Sequence, residues 1–376
     1  MHNISTRLAR LPRRTRGGLL WLLAAAVYFA ALDLSALWSP ESAHQSVLWL
    51  PAGVGYGLVA VGGYRFGVPI AAAALTEGLL DRLGPGPSLL LAAGAVVSAV
   101  GTVALAGAIR SGSGERAADT IARFSASAVG VAVGSTLALA GLTAAGTVPG
   151  MGGWYWANSF LAQLAGMTLV GPCVRNWLRP APSSTASRWE TLAMLAVSGG
   201  IAEIVGTGVI GSGDPVAYLV FPALLWAALR TGRRGVTTAS LLIGVIAASN
   251  FSAGRGPFTG LGMSAPAALD TFLIVTALTG ILVAGLEASR RRTESTLRSS
   301  EERFRAMIEN ATDLVTVLGR DGTIMYESPS VERILGWTPG TLGGQNVLDW
   351  IHPSDRSTSS AVTAAGTCSG RAARPR

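Results

Sequence analysis

The chain has 376 residues, 49% hydrophobic and only 13% charged, against about 25% charged in an ordinary soluble domain. Its formal net charge of +8 rests on arginine alone, because no lysine occurs. The arginines sit in short clusters between apolar runs, which excludes a nucleic-acid-binding face and points to a membrane topology pattern. Two cysteines, Cys173 and Cys368, and three histidines exclude a disulfide framework and leave no zinc set.

In chain order, residues 1–18 are basic and precede LLWLLAAAVYFAALDLSALW, a stretch that imitates a signal peptide. It is long enough to span, and many more apolar runs follow, so it reads as a retained first span. Crossing about 30 Å of hydrocarbon takes about 20 apolar helical residues. Candidate spans are 19–38, 47–63, 66–81, 88–109, 124–147, 154–174, 189–210, 216–229, 236–251 and 267–286. The second, third, eighth and ninth are short, and Pro51, Pro69 and Pro222 interrupt the run of apolar residues. Broken or re-entrant helices there would reduce ten spans to eight.

Ten spans with the N-terminus inside put Arg7, Arg10, Arg13, Arg14, Arg16, Arg65, Arg110, Arg116, Arg123, Arg175, Arg179, Arg188, Arg230, Arg233, Arg234 and Arg290 to Arg292 on the cytoplasmic side. Only Arg82 and Arg255 fall outside, as the positive-inside rule requires. Both termini are therefore expected in the cytoplasm.

The acids fall the other way. Asp33, Glu77, Glu203 and Asp270 lie in the outer halves of their spans, and Glu41, Asp81, Asp214 and His44 in outer loops. Asn158 and Gln163 add polar depth to the sixth span. Ion pairing and helix-end solvation are the plain explanation. Two outer arginines are too few to pair with all these acids, however. The sharper expectation is an outward-opening acidic vestibule that senses protons or a cationic ligand, with Asp33, Glu77, Glu203, Asp270, Asn158 and Gln163 as its candidates.

Two stretches are faintly alike: LPAGVGYGLVAVGGYRFGV (50–68) and FPALLWAALRTGRRGV (221–236) both start on Pro-Ala and end in a Gly/Arg turn followed by Val. Within LWLPAGVGYGLVAVGGYRFGV (48–68), YLVFPALLWAALRTGRRGV (218–236) and LDTFLIVTALTGILVAGLEASRRR (269–292), the chain resembles the first class of the membrane-associated sensor (MASE-type) domains, over roughly 18–292. The resemblance implies an integral membrane input module of a bacterial signalling protein. Such modules precede histidine kinases or cyclic-di-GMP enzymes, often through PAS domains.

Beyond Arg290–Arg292 the chain turns charged and helical. Leu286, Leu297, Phe304 and Ala311 recur at 11, 7 and 7 residues, with Ser300 and Met307 at d-like positions. This is a short, imperfect coiled-coil seam. With no Gly or Pro between Glu287 and Gly319, the last span is expected to continue as a signalling neck over 287–311 and to pair two copies in parallel. An amphipathic surface helix is the alternative.

In DLVTVLGRDGTIMYESPS (313–330), strands over Leu314–Leu318 and Thr323–Tyr326 flank an Asp-Gly hairpin turn. SPSVERILGW (328–337) reads as a short helix with Val331, Ile334 and Leu335 inward, ended by Gly336, and NVLDWIHPSD (346–355) packs Val347, Leu348, Trp350 and Ile351. The order over 299–356 resembles the first half of a PAS domain. The Ser/Thr/Ala/Gly/Arg-rich tail, 357–376, reads as disordered, and a half-sheet predicts a marginal head. His352 reads as structural, and no cofactor or metal is assigned.

The expected architecture is an all-α polytopic membrane bundle plus a small, incomplete α+β PAS-like cytoplasmic module. Its segments are 1–18, a sensor domain over 19–286, the neck over 287–311, a PAS half over 312–356 and the tail over 357–376. No P-loop, kinase nucleotide box, Gly-Gly-Asp-Glu-Phe signature or neck histidine occurs, so no catalytic residue is expected. The expected function is a sensory input module in a bacterial plasma membrane, with its output domain missing from this chain. Its partners would be the lipid bilayer, a second copy through the neck and a small-molecule or proton signal, with no nucleic acid. The alternatives are a secondary transporter or channel that uses the outer carboxylates, and a modulator that forms mixed dimers.

Overall fold

The computed structural model describes residues 13–39, 46–108, 117–147, 152–178, 187–208, 216–309, 314–319, 321–338 and 340–353. The chain divides into two compact units, Met1–Arg290 and Arg291–Arg376.

Each of the ten candidate spans contains a helix. The helices are α1 Arg13–Ala36, α2 Leu50–Gly62, α3 Gly67–Leu80, α4 Pro85–Ala108, α5 Ala117–Ala144, α6 Gly152–Leu178, α7 Arg188–Thr207, α8 Val220–Arg230, α9 Gly232–Ser252 and α10 Ala265–Glu309. Six of the described helices (α1, α4, α5, α7, α9 and α10) are long and apolar enough to cross a membrane. α2, α3 and α8 have 13, 14 and 11 residues, which reach only about 17–21 Å at 1.5 Å per residue. α6 is long, at 27 residues, but is diluted by Asn158, Gln163, Arg175 and Asn176.

The prolines work differently from the expectation. Pro51, Pro69 and Pro222 stand in the first turns of α2, α3 and α8. There the missing N–H has no partner to lose, so proline starts a helix instead of breaking it. The breaks fall in the turns that follow α2 and α8, where Gly63 (φ 86°) and Gly232 (φ 65°) take the left-handed backbone that glycine tolerates. The two faintly similar stretches are thus both a proline-started short helix, a Gly/Arg turn and the start of a second helix. Pro172 lies inside α6.

Small residues set the helix crossings, as expected where lipid supplies no hydrophobic drive between helices. A Cβ on Gly166 of α6 would strike the Trp49 carbonyl, and one on Gly53 of α2 would strike Gly166 and Val170. At the α4–α5 crossing, Gly94, Ser98 and Thr102 face Gly130 and Gly134. Ser98 lies in a π turn, Val97–Gly101, that widens α4 at this contact. Polar side chains close other joints. Ser35 donates to the Ala31 carbonyl at 2.8 Å and accepts from the Leu50 amide at 3.0 Å, tying α1 to the start of α2. The main core gathers Leu48, just before α2, with Tyr56 of α2, Val131 of α5, Met167 and Leu169 of α6 and Leu273 of α10.

In the second unit, β1 Thr316–Leu318 pairs antiparallel with β2 Ile324–Glu327. Asp321 shapes the turn by accepting from the Thr323 amide at 3.1 Å and the Thr323 hydroxyl at 2.8 Å. Ser328 locks the hairpin's base through its amide and hydroxyl, both bonded to Val315. Glu327 accepts from the Gly340 and Leu342 amides and holds the following loop. The short helix α11, Ser330–Leu335, ends at left-handed Gly336 as expected. Only Val331 of its three expected inward residues is buried; Ile334 and Leu335 are exposed, because a six-residue helix makes fewer than two turns and here buries only Ser330 and Val331. Trp350, also expected to pack inward, is half exposed and stands edge-on to Trp337 with ring centroids 4.8 Å apart.

Candidate functional site

The expected vestibule residues occupy several places along the bundle. Asp33 near the end of α1 and Asp81 just past α3 lie close enough to act electrostatically on Glu77. Asp33 is exposed and Glu77 half-buried. On α7, the exposed Glu203 accepts from the Asn250 side-chain amide of α9 at 3.1 Å. A Cβ on Gly206 would meet Asn250 Nδ2 at 2.6 Å, so glycine is what lets this amide approach α7.

Asp270 of α10 differs from the other acids. It is 1% exposed, and neither carboxylate oxygen accepts a hydrogen bond among the described residues. On α6, Asn158 is buried with Oδ1 unbonded among the described residues, while Gln163 donates to Ser135 of α5 at 3.0 Å. No hydrogen bond or ion pair among the described residues joins one of these six candidates to another. Glu41, His44 and Asp214 lie outside the described residues. Among those described, no three His, Cys, Asp or Glu side chains gather in a metal-binding group.

The opposite helix ends carry the arginines. Arg230 at the end of α8 meets Glu190 at the start of α7 at 2.6 Å. Arg234 donates to the Asn176 carbonyl of α6 at 2.8 Å and lies 5.5 Å from the centre of the Trp177 ring. The Trp177 indole in turn donates to Thr238 at 3.0 Å. Arg230 is thus fastened to α7, and the TGRRGV turn that follows it to α6. Just beyond it, Val236 and Leu224 would meet a Cβ on Gly280, so α10 passes close by.

α10 itself changes character along its 45 residues. Leu269, Asp270, Leu273, Ile274, Thr276, Ala277 and Ala284 form a buried stripe at three- and four-residue spacing. They enter both large core clusters of the bundle. From Arg290 to Met307 every side chain is exposed, including Leu297, Phe304 and Met307 of the expected seam; Leu286 is exposed as well. Arg305 and Glu301 pair along this stretch at 3.5 Å. Ala311, the last seam position, lies outside the described residues.

A family model for the MASE1 domain matches residues 17–292. The chain belongs to the MASE1 family. A PAS-fold model matches residues 302–366, from within α10 to ten residues past the end drawn from sequence at 356. No curated protein and no solved structure matches the chain. This MASE1 chain is thus a membrane sensor domain followed by a PAS domain, an input module for signal transduction. Both domains are sensory rather than catalytic.

Sequence reading missed Asn250, the partner of Glu203. Its position in the last turn of an apolar helix was visible, but the acid 47 residues away was not. It also missed the π turn around Ser98, which no local pattern announces.

Proposed function

We propose that this protein detects a signal at the acid-bearing ends of its membrane helices and relays it along α10 to the PAS segment. In this reading it lies in a bacterial plasma membrane with both termini in the cytoplasm. It pairs with a second copy through the neck and serves a histidine kinase or a cyclic-di-GMP enzyme. The observation that carries the reading is α10: one unbroken helix contributes to the bundle core at Leu273 and leaves an apolar seam bare at Leu297 and Phe304. Exposed leucine and phenylalanine at a seven-residue spacing fit a partner helix. The arginine-bearing helix ends support the orientation.

Single-cysteine variants of the full chain in nanodiscs, with Cys173 and Cys368 replaced, test the pairing. Leu297→Cys and Phe304→Cys should form intermolecular disulfides rapidly, and Arg298→Cys and Glu301→Cys slowly. Equal rates at all four positions would overturn the paired neck.

A second reading, transport, draws on Asp270, a carboxylate inside the bundle without a donor among the described residues. It requires ion flux in sealed vesicles that Asp270→Asn abolishes, and an unchanged neck while flux proceeds.

A further inference from the structure

The bundle leaves only a narrow line of α10 uncovered. Between Leu269 and Leu286 the exposed residues are Thr271, Val275 and Leu286 alone. α1 behaves differently and exposes Leu19, Leu20, Trp21, Leu22 and Leu23 in succession, a face as broad as lipid contact allows. A line one or two residues wide is the width that a single partner helix covers. The Thr271 hydroxyl donates to the Ala267 carbonyl at 2.7 Å, so it is satisfied within its own helix and needs nothing from a neighbour.

This line has the phase of the apolar seam in the neck. Each residue turns a helix by about 100°, so Val275, Leu297 and Phe304 all fall within about 20° of Leu286, and Thr271 within about 60°. The buried Leu273, Ala277 and Ala284 lie about 140–180° round. Packing inside the bundle decides which residues near Val275 are bare, whereas the charged sequence past Arg292 decides where the seam runs. The two agree although neither dictates the other. Val275, Leu286 and Leu297 also stand eleven residues apart. That spacing corresponds to about 3.67 residues per turn, so two such helices stay in contact with only a gentle twist.

We infer that two copies of this chain meet along one continuous line of α10 that starts inside the membrane, at Thr271 and Val275, and passes through Leu286 into the neck. The inference rests on the paired neck proposed above and carries the contact about 22 Å further, from Leu286 back to Thr271. Each α10 is then held between its own bundle on one side and the α10 of the second copy on the other. A displacement of either bundle therefore bears on both necks.

The test oxidises single-cysteine variants of the full chain, with Cys173 and Cys368 replaced, in lipid vesicles at low protein density. Val129 of α5 is the control, since it is 53% exposed against 47% for Val275 and likewise lies inside a span. Cysteine is slightly smaller than valine, so both variants should fold. Val275→Cys and Leu286→Cys should form intermolecular disulfides at least about tenfold faster than Val129→Cys, because a held contact raises the local concentration above that of chance collision. Equal rates at Val275→Cys and Val129→Cys, the outcome if lipid alone covers the line, would overturn the membrane contact. Fast cross-linking at Leu297→Cys would in that case leave the paired neck standing, and slow cross-linking there would overturn both. Fast cross-linking at Val275→Cys with slow cross-linking at Leu297→Cys would support the membrane contact and overturn the pairing of the neck.

Discussion

Trp38, just past α1, donates its indole N–H to Ser249 of α9 at 3.0 Å, across 211 residues of chain. Its ring is buried in the main core, so the contact joins the first helix of the bundle to the ninth through both packing and a hydrogen bond. Trp38→Phe removes the bond and keeps most of the ring, and should cost about 1 kcal/mol. Trp38→Ala also empties the ring's volume and should cost about 3–5 kcal/mol. Thermal unfolding in mild detergent separates the two.

The α4–α5 crossing makes a second, steric prediction. A Cβ on Gly134 would strike Ser98 and the Gly94 carbonyl, whereas one on Gly107 would meet nothing within 4 Å. Gly134→Val should destabilise the bundle by about 1–3 kcal/mol through overpacking. Gly107→Ala should be neutral or slightly stabilising, since alanine favours a helix by up to about 1 kcal/mol over glycine. Matched losses at both positions would mean that the helices can shift apart freely.

Asp270 separates stability from function. It is buried without a donor among the described residues, and a buried polar group left unpartnered costs about 1–3 kcal/mol that a packed apolar side chain of similar size avoids. Asp270→Leu should therefore raise the midpoint of unfolding while abolishing the response of the neck to any stimulus. The double change Glu77→Gln with Glu203→Gln should leave stability nearly unchanged and blunt a response to external pH. An unaltered response in both variants would remove the carboxylates from the sensing mechanism.

The hairpin of the second unit carries a pH prediction. Hydrogen bonds from the Thr323 hydroxyl and amide hold the Asp321 carboxyl below its ordinary value. A lowered folded value means the stabilisation is complete above the unfolded value of about 3.9 and is lost as pH falls through the lower folded one. The Thr323 amide resonance should stay constant from neutral pH to about 5 and move only in the acid range. In Asp321→Asn that acid transition should vanish.

Much of this organisation was legible from sequence because it is local. Twenty-residue apolar runs, arginines at alternate ends, the Asp-Gly turn and the seven-residue spacing of Leu297 and Phe304 each act within one or two turns of chain. Partner choice was not legible. Gly130 and Gly134 stand four apart in plain view, yet nothing in the segment says that Gly94 and Ser98 face them. The four acids shared the outer halves of their spans, and depth alone cannot distinguish an exposed Glu203 from a buried Asp270. That difference depends on which way each helix turns its face, and neighbours distant in sequence decide it. The exposure of Ile334 and Leu335 was missed for a related reason: periodicity identifies an apolar side but not how much of it six residues can cover.

The continuity of α10 has a consequence for how long the neck can be. Every residue added to an unbroken helix advances it 1.5 Å and turns it by about 100°. One residue inserted after Arg298 would carry Phe304 and Met307 off the line of Leu297, whereas seven would return them to within about 20°. For the paired neck proposed above, length is therefore a matter of phase, and insertions of seven residues should preserve pairing where single insertions break it.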